Sequence, residues 1–308
     1  MEKTMNIKRI GFLIPNGKII TEPPVEVLRV SSALEHWGYW VSISDATISG
    51  GSRDDVIKRM GNPFPDVVGV YCDTIEDFNK FKPFLDIMNN NKSMIVLMGN
   101  YGSCDYDRIL QGWRNITYII IGQPEYIFPK LMQCIDSGQP ISTVSGIAFR
   151  KDGDVVKTQK SPTISNFKDL PNPAYHLVDV AKYFRYRIIP EYGCAVNYEC
   201  PFNHIMRGKI GIRPILDILH EIKFLYNRYG VKPVNIDGKI NIDDEESLNL
   251  FIDFISQTNV DISWVGVTSN NKHVGNETLD FYGRHGCKGI VINESDKNCE
   301  KMIKFIVI

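Results

Sequence analysis

The stretch Gly193-Cys194-Ala195-Val196-Asn197-Tyr198-Glu199-Cys200-Pro201-Phe202-Asn203-His204 is the centre from which this chain is read. It follows an apolar, strand-like run, Tyr186–Pro190, and precedes a helix-like segment from about Pro214 to Tyr229. In that segment Ile215, Ile218, Leu219, Ile222 and Leu225 recur at helical spacing. Two thiols close together in a loop at the end of a strand point to a metal or iron–sulfur site, because thiolates hold such clusters. Zinc on Cys194, Cys200 and His204 is a second reading, for which the local sequence supplies no fourth ligand.

On the C-terminal side the βα rhythm continues. Val234–Ile236 reads as a strand ending at Asp237-Gly238, and Asp244–Ser256 as a helix with an acidic start that suits its dipole. Ile262–Val267 reads as a strand, Glu277–Arg284 as a helix, and Gly289–Ile292 as a strand ending at Asn293-Glu294-Ser295. On the N-terminal side the strands are Ile7–Ile14, Tyr39–Ser44, Asp66–Tyr71, Met94–Met98 and Tyr118–Ile121. The helices between them are Pro24–Trp37, Asp54–Met60, Ile75–Asn89 and Pro124–Ile135.

This alternation predicts a doubly wound parallel sheet, whose ligands bind beyond the carboxyl ends of its strands. Pro15, Asn16, Gly17, Asp45, Asp73, Gly99 and Asn100 fall on that edge, although Gly and Asn there are also ordinary turn formers. Gly146–Arg150 and Val155–Lys157 flank Asp152-Gly153 and read as a hairpin. Pro162, Pro171 and Pro173 mark a stiff, extended linker. The expected organisation is a first domain over 1–158, a linker over 159–185 and a second domain over 186–308.

Composition narrows the function classes. With 43% hydrophobic and 23% charged residues the chain reads as a soluble globular protein, and a net charge of −1 gives no field for nucleic acid. Met1–Ile10 does not read as a signal peptide, and no apolar run is long enough to span a bilayer, so the cytoplasm is the expected compartment with no membrane partner. Seven cysteines, an odd number, argue against a disulfide framework, and Cys72 and Cys287 adjoin apolar runs as core residues do. Gly11–Lys18 is not a phosphate loop, since its spacing is one residue too long and Ile19 stands where Ser or Thr would bind magnesium. No Gly-x-Gly-x-x-Gly fingerprint follows the first strand.

In this order of elements the chain resembles the cobalamin-binding-domain branch of the radical S-adenosylmethionine (SAM) enzymes. The resemblance rests on the first strand, Pro23-Pro24 and the helix into Glu35-His36-Trp37-Gly38-Tyr39-Trp40-Val41, as far as Asp45. It continues through Gly122-Gln123-Pro124-Glu125, Gly146–Arg150, Asp169–Ala174, Gly193-Cys194 with Cys200-Pro201-Phe202, Asn235–Gly238, and Gly286-Cys287 to Glu294-Ser295. It implies a Rossmann-like, cobalamin-binding-type domain followed by a partial βα barrel of the radical SAM, TIM-like kind. The implied cofactors are a [4Fe–4S] cluster, SAM and cobalamin, and the implied chemistry is radical methylation or rearrangement of a small molecule or peptide.

By position, Cys194 and Cys200 would hold the cluster, with His204 as a further metal donor. Asp237 and Gly238 would lie near the SAM amino group, and Glu294 and Ser295 near its ribose. Asn16, Gly17, Asp45, Gly99 and Asn100 would form the cobalamin edge, without an axial histidine, since no Asp-x-His-x-x-Gly motif is present.

The chain departs from the family in three respects. Asn203 replaces the third thiol, five residues separate Cys194 from Cys200, and about four βα units are legible where the family's barrel has about six. The apolar end Lys304-Phe305-Ile306-Val307-Ile308 reads as an open edge that invites pairing with another chain, with truncation, a split protein whose barrel a second polypeptide completes, and a decayed copy as the three readings. The alternative expectation is a cluster-deficient, non-catalytic binding or partner protein with the same fold.

Overall fold

The computed structural model describes residues 7–15, 22–50, 52–162, 171–192, 211–269, 275–295 and 301–307. These form two compact units. Unit 1 holds the described residues of the N-terminal part, 7–15 and 24–179, and unit 2 holds 22–23, 180–192 and everything described from 211 onward.

Unit 1 is built on a seven-stranded sheet: β1 (Arg9–Ile14), β2 (Trp40–Asp45), β3 (Val67–Tyr71), β4 (Met94–Met98), β5 (Tyr118–Ile120), β6 (Ile147–Lys151) and β7 (Asp154–Lys157). The spatial order is β2-β1-β3-β4-β5-β6-β7, parallel as far as β5, with β6 and β7 added antiparallel. The unbroken apolar run of β4, Met94-Ile95-Val96-Leu97-Met98, reflects its central place, where both faces of a parallel strand are covered. The hairpin turns where expected, with Asp152 and Gly153 at φ 53° and 96°.

Two apolar clusters fill the two faces of the sheet. On one, Ile10, Phe12, Val67, Val96 and Ile120 meet α1 (Val25–His36) and α7 (Pro124–Asp136) through Val27, Val30, Leu34, Ile127, Phe128 and Leu131. On the other, Leu13, Val68, Val70, Ile95, Leu97 and Ile119 meet Val56 and Met60 at α3 (Arg53–Arg59), Phe78 and Phe81 of α4 (Ile75–Phe81), Leu85 and Met88 of α5 (Leu85–Asn90), and Ile109 and Leu110 of α6 (Asn100–Gly112). A short helix, α2 (Ala46–Ser49), follows β2. Each such side chain contributes roughly 1.5–3 kcal/mol relative to its exposed state, so these stripes dominate the packing. α3 and α4 start at reciprocal capping boxes, Ser52 with Asp55 and Thr74 with Asp77.

Helix α6 is an addition to the sequence expectation, which assigns no helix between Met98 and Tyr118. Its polar residues and the glycines Gly102 and Gly112 weaken the apolar period, yet Gly102 is buried where a side chain would meet Leu97 and Ile119. The predicted helix over Ile75–Asn89 is present as α4 and α5, joined by a 3₁₀ turn at Lys82–Phe84.

Unit 2 carries a five-stranded sheet ordered β14-β13-β12-β11-β8. β8 (Tyr186–Ile188), β11 (Pro233–Asn241), β12 (Asp261–Thr268) and β13 (Cys287–Ser295) run parallel, and β14 (Lys301–Val307) pairs antiparallel with β13. The apolar C-terminal run, expected to await another polypeptide, is thus paired along one side within its own chain. The crossover helices are α8 (Ile215–Tyr229), α9 (Glu245–Gln257) and α10 (Asn276–Arg284). Trp264 of β12 stands edge-on to Phe251 of α9 at 5.7 Å and to Tyr282 of α10 at 5.9 Å. A two-stranded ribbon, β9 (Glu191–Tyr192) with β10 (Gly211–Ile212), lies between β8 and α8 in the chain. Among the described residues no helix is long and apolar enough to cross a membrane.

Candidate functional sites at the strand ends

The order β2-β1-β3-β4-β5 places a topological switch between β1 and β3, and ligands of doubly wound sheets bind in the crevice at that point. β1 ends beside Pro15, and Asn16 and Gly17 that follow lie outside the described residues. Asp45, at the end of β2, accepts hydrogen bonds from the Thr47 amide and hydroxyl and so caps α2. Gly99 has φ 98° and ψ −179°, and a Cβ there would lie 2.5 Å from the Cys72 carbonyl oxygen. Glycine is needed there so that α6 can start against the end of β3. The Asn100 amide donates to Asp73 Oδ1 at 3.0 Å.

Further groups converge on this edge from positions far apart in sequence. Burial pushes the Asp73 carboxyl up, against the pull of the Asn100 amide and the Tyr71 hydroxyl, and the charges of Glu26 and Asp77 add to the rise. The Tyr71 phenol is raised by burial and by Asp73, Glu26 and Glu125. Glu125, buried in the first turn of α7, is raised by desolvation, which its own amide and the Arg29 charge oppose. Of these acids, sequence alone brings Asp73 to the strand-end edge and Glu125 only to a turn that resembles the family's. Their shared burial could not be read from residues so widely spaced.

Cys194, Cys200, Asn203 and His204 lie outside the described residues. In unit 2, Tyr192 pairs with Gly211 and Glu191 with Ile212 in the ribbon of β9 and β10. The sequence between those two strands holds two thiols and one imidazole, Cys194, Cys200 and His204. Among the described residues no group of three His, Cys, Asp or Glu side chains is arranged to hold a metal ion. Cys72 and Cys287 are buried core residues, as their sequence context indicates, and burial raises both thiols.

Along β11 and β12, Val234, Ile236, Ile240, Ile262 and Trp264 are buried, while Asn235, Asp237 and Asn241 alternate onto an exposed polar face. Asp237 and Gly238 lie within β11, which continues to Asn241, and they coincide with a break in its register with β12. Such bulges re-aim side chains near functional sites. Arg187 of β8 donates to Asp237 Oδ2 at 3.1 Å and has Glu22 Oε2 at 3.6 Å. Glu294 and Ser295 close β13, opposite Met302 and Lys301 of β14.

The acidic run Asp243–Glu246 divides its work. Asp244 caps α9 through Ser247, whereas Asp243 accepts from the Thr268 hydroxyl and from the Ser269 amide and hydroxyl at 3.1 and 2.7 Å. Asp243 thereby ties the carboxyl ends of β11 and β12 together, a role its sequence context does not suggest. A cavity of about 380 Å³ lined by Glu22, Arg185, Asn235, Asp261 and Ser263 opens at the amino ends of β11 and β12, away from the expected ligand edge.

No family model matches the chain. It is 22% identical over 260 residues to an uncharacterized methyltransferase of Pyrococcus horikoshii, covering 82% of this chain and 56% of that protein. It is 23% identical over 307 residues to the anaerobic magnesium-protoporphyrin IX monomethyl ester cyclase of Synechocystis, covering 96% and 60%. It is 22% identical over 285 residues to the cytidylyl-2-hydroxyethylphosphonate methyltransferase of Streptomyces wedmorensis, covering 74% and 53%.

Among solved structures, the cobalamin-dependent SAM radical enzyme OxsB, with aqua-cobalamin and SAM bound, matches at a TM-score of 0.71 and 15% identity, over 94% of this chain and 44% of OxsB. The radical SAM methyltransferase TsrM of Kitasatospora setae, with tryptophan substrate and a SAM analogue, matches at 0.68 and 15%, over 92% and 58%. The two-part α/β architecture is therefore that of cobalamin-dependent radical SAM enzymes. The chain spans between about half and three-fifths of the length of the curated relatives it matches.

Proposed function

We propose, from the chain's kinship in sequence and fold with the cobalamin-dependent radical SAM enzymes, that it is a SAM-dependent enzyme of that kind, a methyltransferase or rearrangement catalyst acting on a small organic molecule. The observation that carries this reading is the fold match to OxsB at a TM-score of 0.71 over 94% of this chain, joined to the two close thiols, Cys194 and Cys200, in the sequence between β9 and β10.

Cys194 and Cys200, with His204, would hold the [4Fe–4S] cluster, which when bound supplies the electron that cleaves SAM. Asp237 offers a carboxylate to the SAM ammonium at the β11 bulge, and Arg187, now its partner, limits where that carboxylate can point. Gly238, at φ 142°, keeps the backbone there free of a side chain. Glu294 and Ser295 stand at the carboxyl end of the next-but-one strand, suited to a ribose. On unit 1, Asn16, Gly17, Gly99 and Asn100 would border a cobalamin, while Asp45 shapes the edge through Thr47.

Anaerobic reconstitution with iron and sulfide, followed by SAM and a reductant, tests the proposal. The expected products are 5′-deoxyadenosine or S-adenosylhomocysteine. A protein that takes up no iron and forms neither product refutes it.

Asn203 favours a second reading, a binding or partner protein without a cluster, because a neutral amide stands in place of a thiolate. The Asn203→Cys variant separates the two. Iron uptake by the variant and none by the wild type would support the non-catalytic reading, and uptake by both would support the enzyme.

A further inference from the structure

A cavity of about 530 Å³ opens in unit 1 where the end of α6 meets the hairpin of β6 and β7. Leu110, Gln111 and Arg114 line it from the helix side, and Arg150, Asp152 and Val155 from the hairpin. Tyr118, the first residue of β5, pairs with Phe149, so Arg150 stands at the amino edge of the parallel sheet. Asp73 and Gly99 belong to the opposite, carboxyl edge. The cavity is therefore separate from the sites described above.

Its cations have no acid to pair with. Arg150 donates Nη1 to the Leu110 and Trp113 carbonyls and Nη2 to those of Arg114 and Ile116. These neutral acceptors fix the guanidinium and leave its charge whole. Among the described residues no carboxylate stands within ion-pair distance of Arg150 or Arg114. Burial, and then the like charge of Arg114, make the Arg150 guanidinium less basic than usual. A third cation shares this side of the hairpin. Val155 faces Arg150 and Lys157 faces Ala148 across the strands, and Lys157 Nζ lies 5.1 Å from the centre of the Tyr106 ring of α6.

Cations gathered in this way repel one another until an anion joins them. Arg114 is exposed, and its side chain has no hydrogen bond or ion pair among the described residues, so its fork of donors is available to a phosphate. Gln111 gives one N–H to Asp107 Oδ2 at 2.9 Å and has a second to offer. Leu110 and Val155 supply apolar wall, and the volume suits a small molecule, the usual range being roughly 300–1,000 Å³. Asp152, exposed beside the cavity, is the one opposing charge among these lining residues.

We propose that this cavity binds a small organic phosphate monoester, with Arg114 and Arg150 as the paired cations for its phosphate and Leu110 and Val155 against its organic part. The proposal goes beyond the reading of the chain as a SAM enzyme and does not depend on it.

The test titrates the full chain with phenyl phosphate and, separately, with inorganic phosphate, following the phosphorus NMR signal at an ionic strength fixed by sodium chloride. Wild type is compared with Arg114→Met and Asp152→Asn, and thermal melting without ligand checks each fold. Both positions are exposed, and asparagine tolerates the φ of 53° at Asp152.

Phenyl phosphate should bind wild type several-fold more tightly than inorganic phosphate, because its ring buries apolar surface. Arg114→Met should weaken it about tenfold and Asp152→Asn should tighten it about threefold. Absence of saturable binding overturns the proposal. Equal affinity for the two probes overturns the ester assignment in favour of free phosphate. Binding that both variants leave unchanged overturns the location. Should Arg114→Met melt early, Asp152→Asn decides alone: tighter binding supports the site and unchanged affinity overturns it.

Discussion

Gly99→Ala probes the strand-end edge of unit 1 with a single methyl group. Gly99 occupies φ 98°, ψ −179°, a region essentially closed to residues with a side chain, and forcing alanine into it costs about 2 kcal/mol. The new Cβ would stand 2.5 Å from the Cys72 carbonyl oxygen and 2.8 Å from its carbon, both backbone atoms that cannot swing aside. Relief requires the end of β3 to move away from α6. That strains the bonds from the Tyr101 amide to the Cys72 carbonyl and from the Cys72 amide to the Met98 carbonyl. Losing one of them adds about 1–2 kcal/mol.

Alanine also stiffens the unfolded chain, which offsets about 0.5–1 kcal/mol. The net expectation is a loss of about 3 kcal/mol from unit 1. Urea denaturation followed by tryptophan fluorescence reads it, because Trp37, Trp40 and Trp113 all lie in unit 1. The midpoint should fall with little change in slope. A loss below about 1 kcal/mol would refute the argument, since strain and clash would then both have been relieved without cost.

Arg150 donates to the carbonyls of Leu110, Arg114 and Ile116, and more weakly to that of Trp113, closing the end of α6. Water can replace it at the exposed Arg114 carbonyl but not at those of the buried Leu110 and Ile116, so Arg150→Met should cost about 3 kcal/mol by thermal melting. Gly286→Ala would drive a Cβ into the Ile262 carbonyl oxygen at φ 84°, and soluble expression should fall together with the near-ultraviolet signal of Trp264. For Glu125, whose folded value is raised by burial, the native state holds its proton longer than the unfolded state does. Stability from this group is therefore present near the unfolded value of about 4.3 and is lost as pH rises through the folded value. Glu125→Gln should then be the more stable protein at neutral pH and should flatten the pH dependence of the urea midpoint, whereas coincident curves would count against a raised carboxyl.

Several features were legible in the residues because their causes are local. The period of Ile215, Ile218, Leu219, Ile222 and Leu225 marks the buried stripe of α8, with Glu221 set into it. Asp152-Gly153 marks the turn between β6 and β7, since both positions need positive φ. The run Met94–Met98 could only be a strand covered on both faces. Helix α6 was not legible, because its burial depends on a glycine that packs by being small rather than by being apolar.

The sequence by itself determined the alternation of strands and helices, the two-part βα organisation, and the pair of close thiols. Only the tertiary structure decided the order β2-β1-β3-β4-β5, hence the switch beside β1 and β3, and the joining of Asp73, Glu26 and Glu125 at one edge. It alone set Arg213 against Glu221 and folded the last strand back onto β13. The physical reason is range. Periodicity and turn chemistry act between residues a few positions apart, whereas strand order and buried charge pairing are settled by which distant surfaces exclude water together.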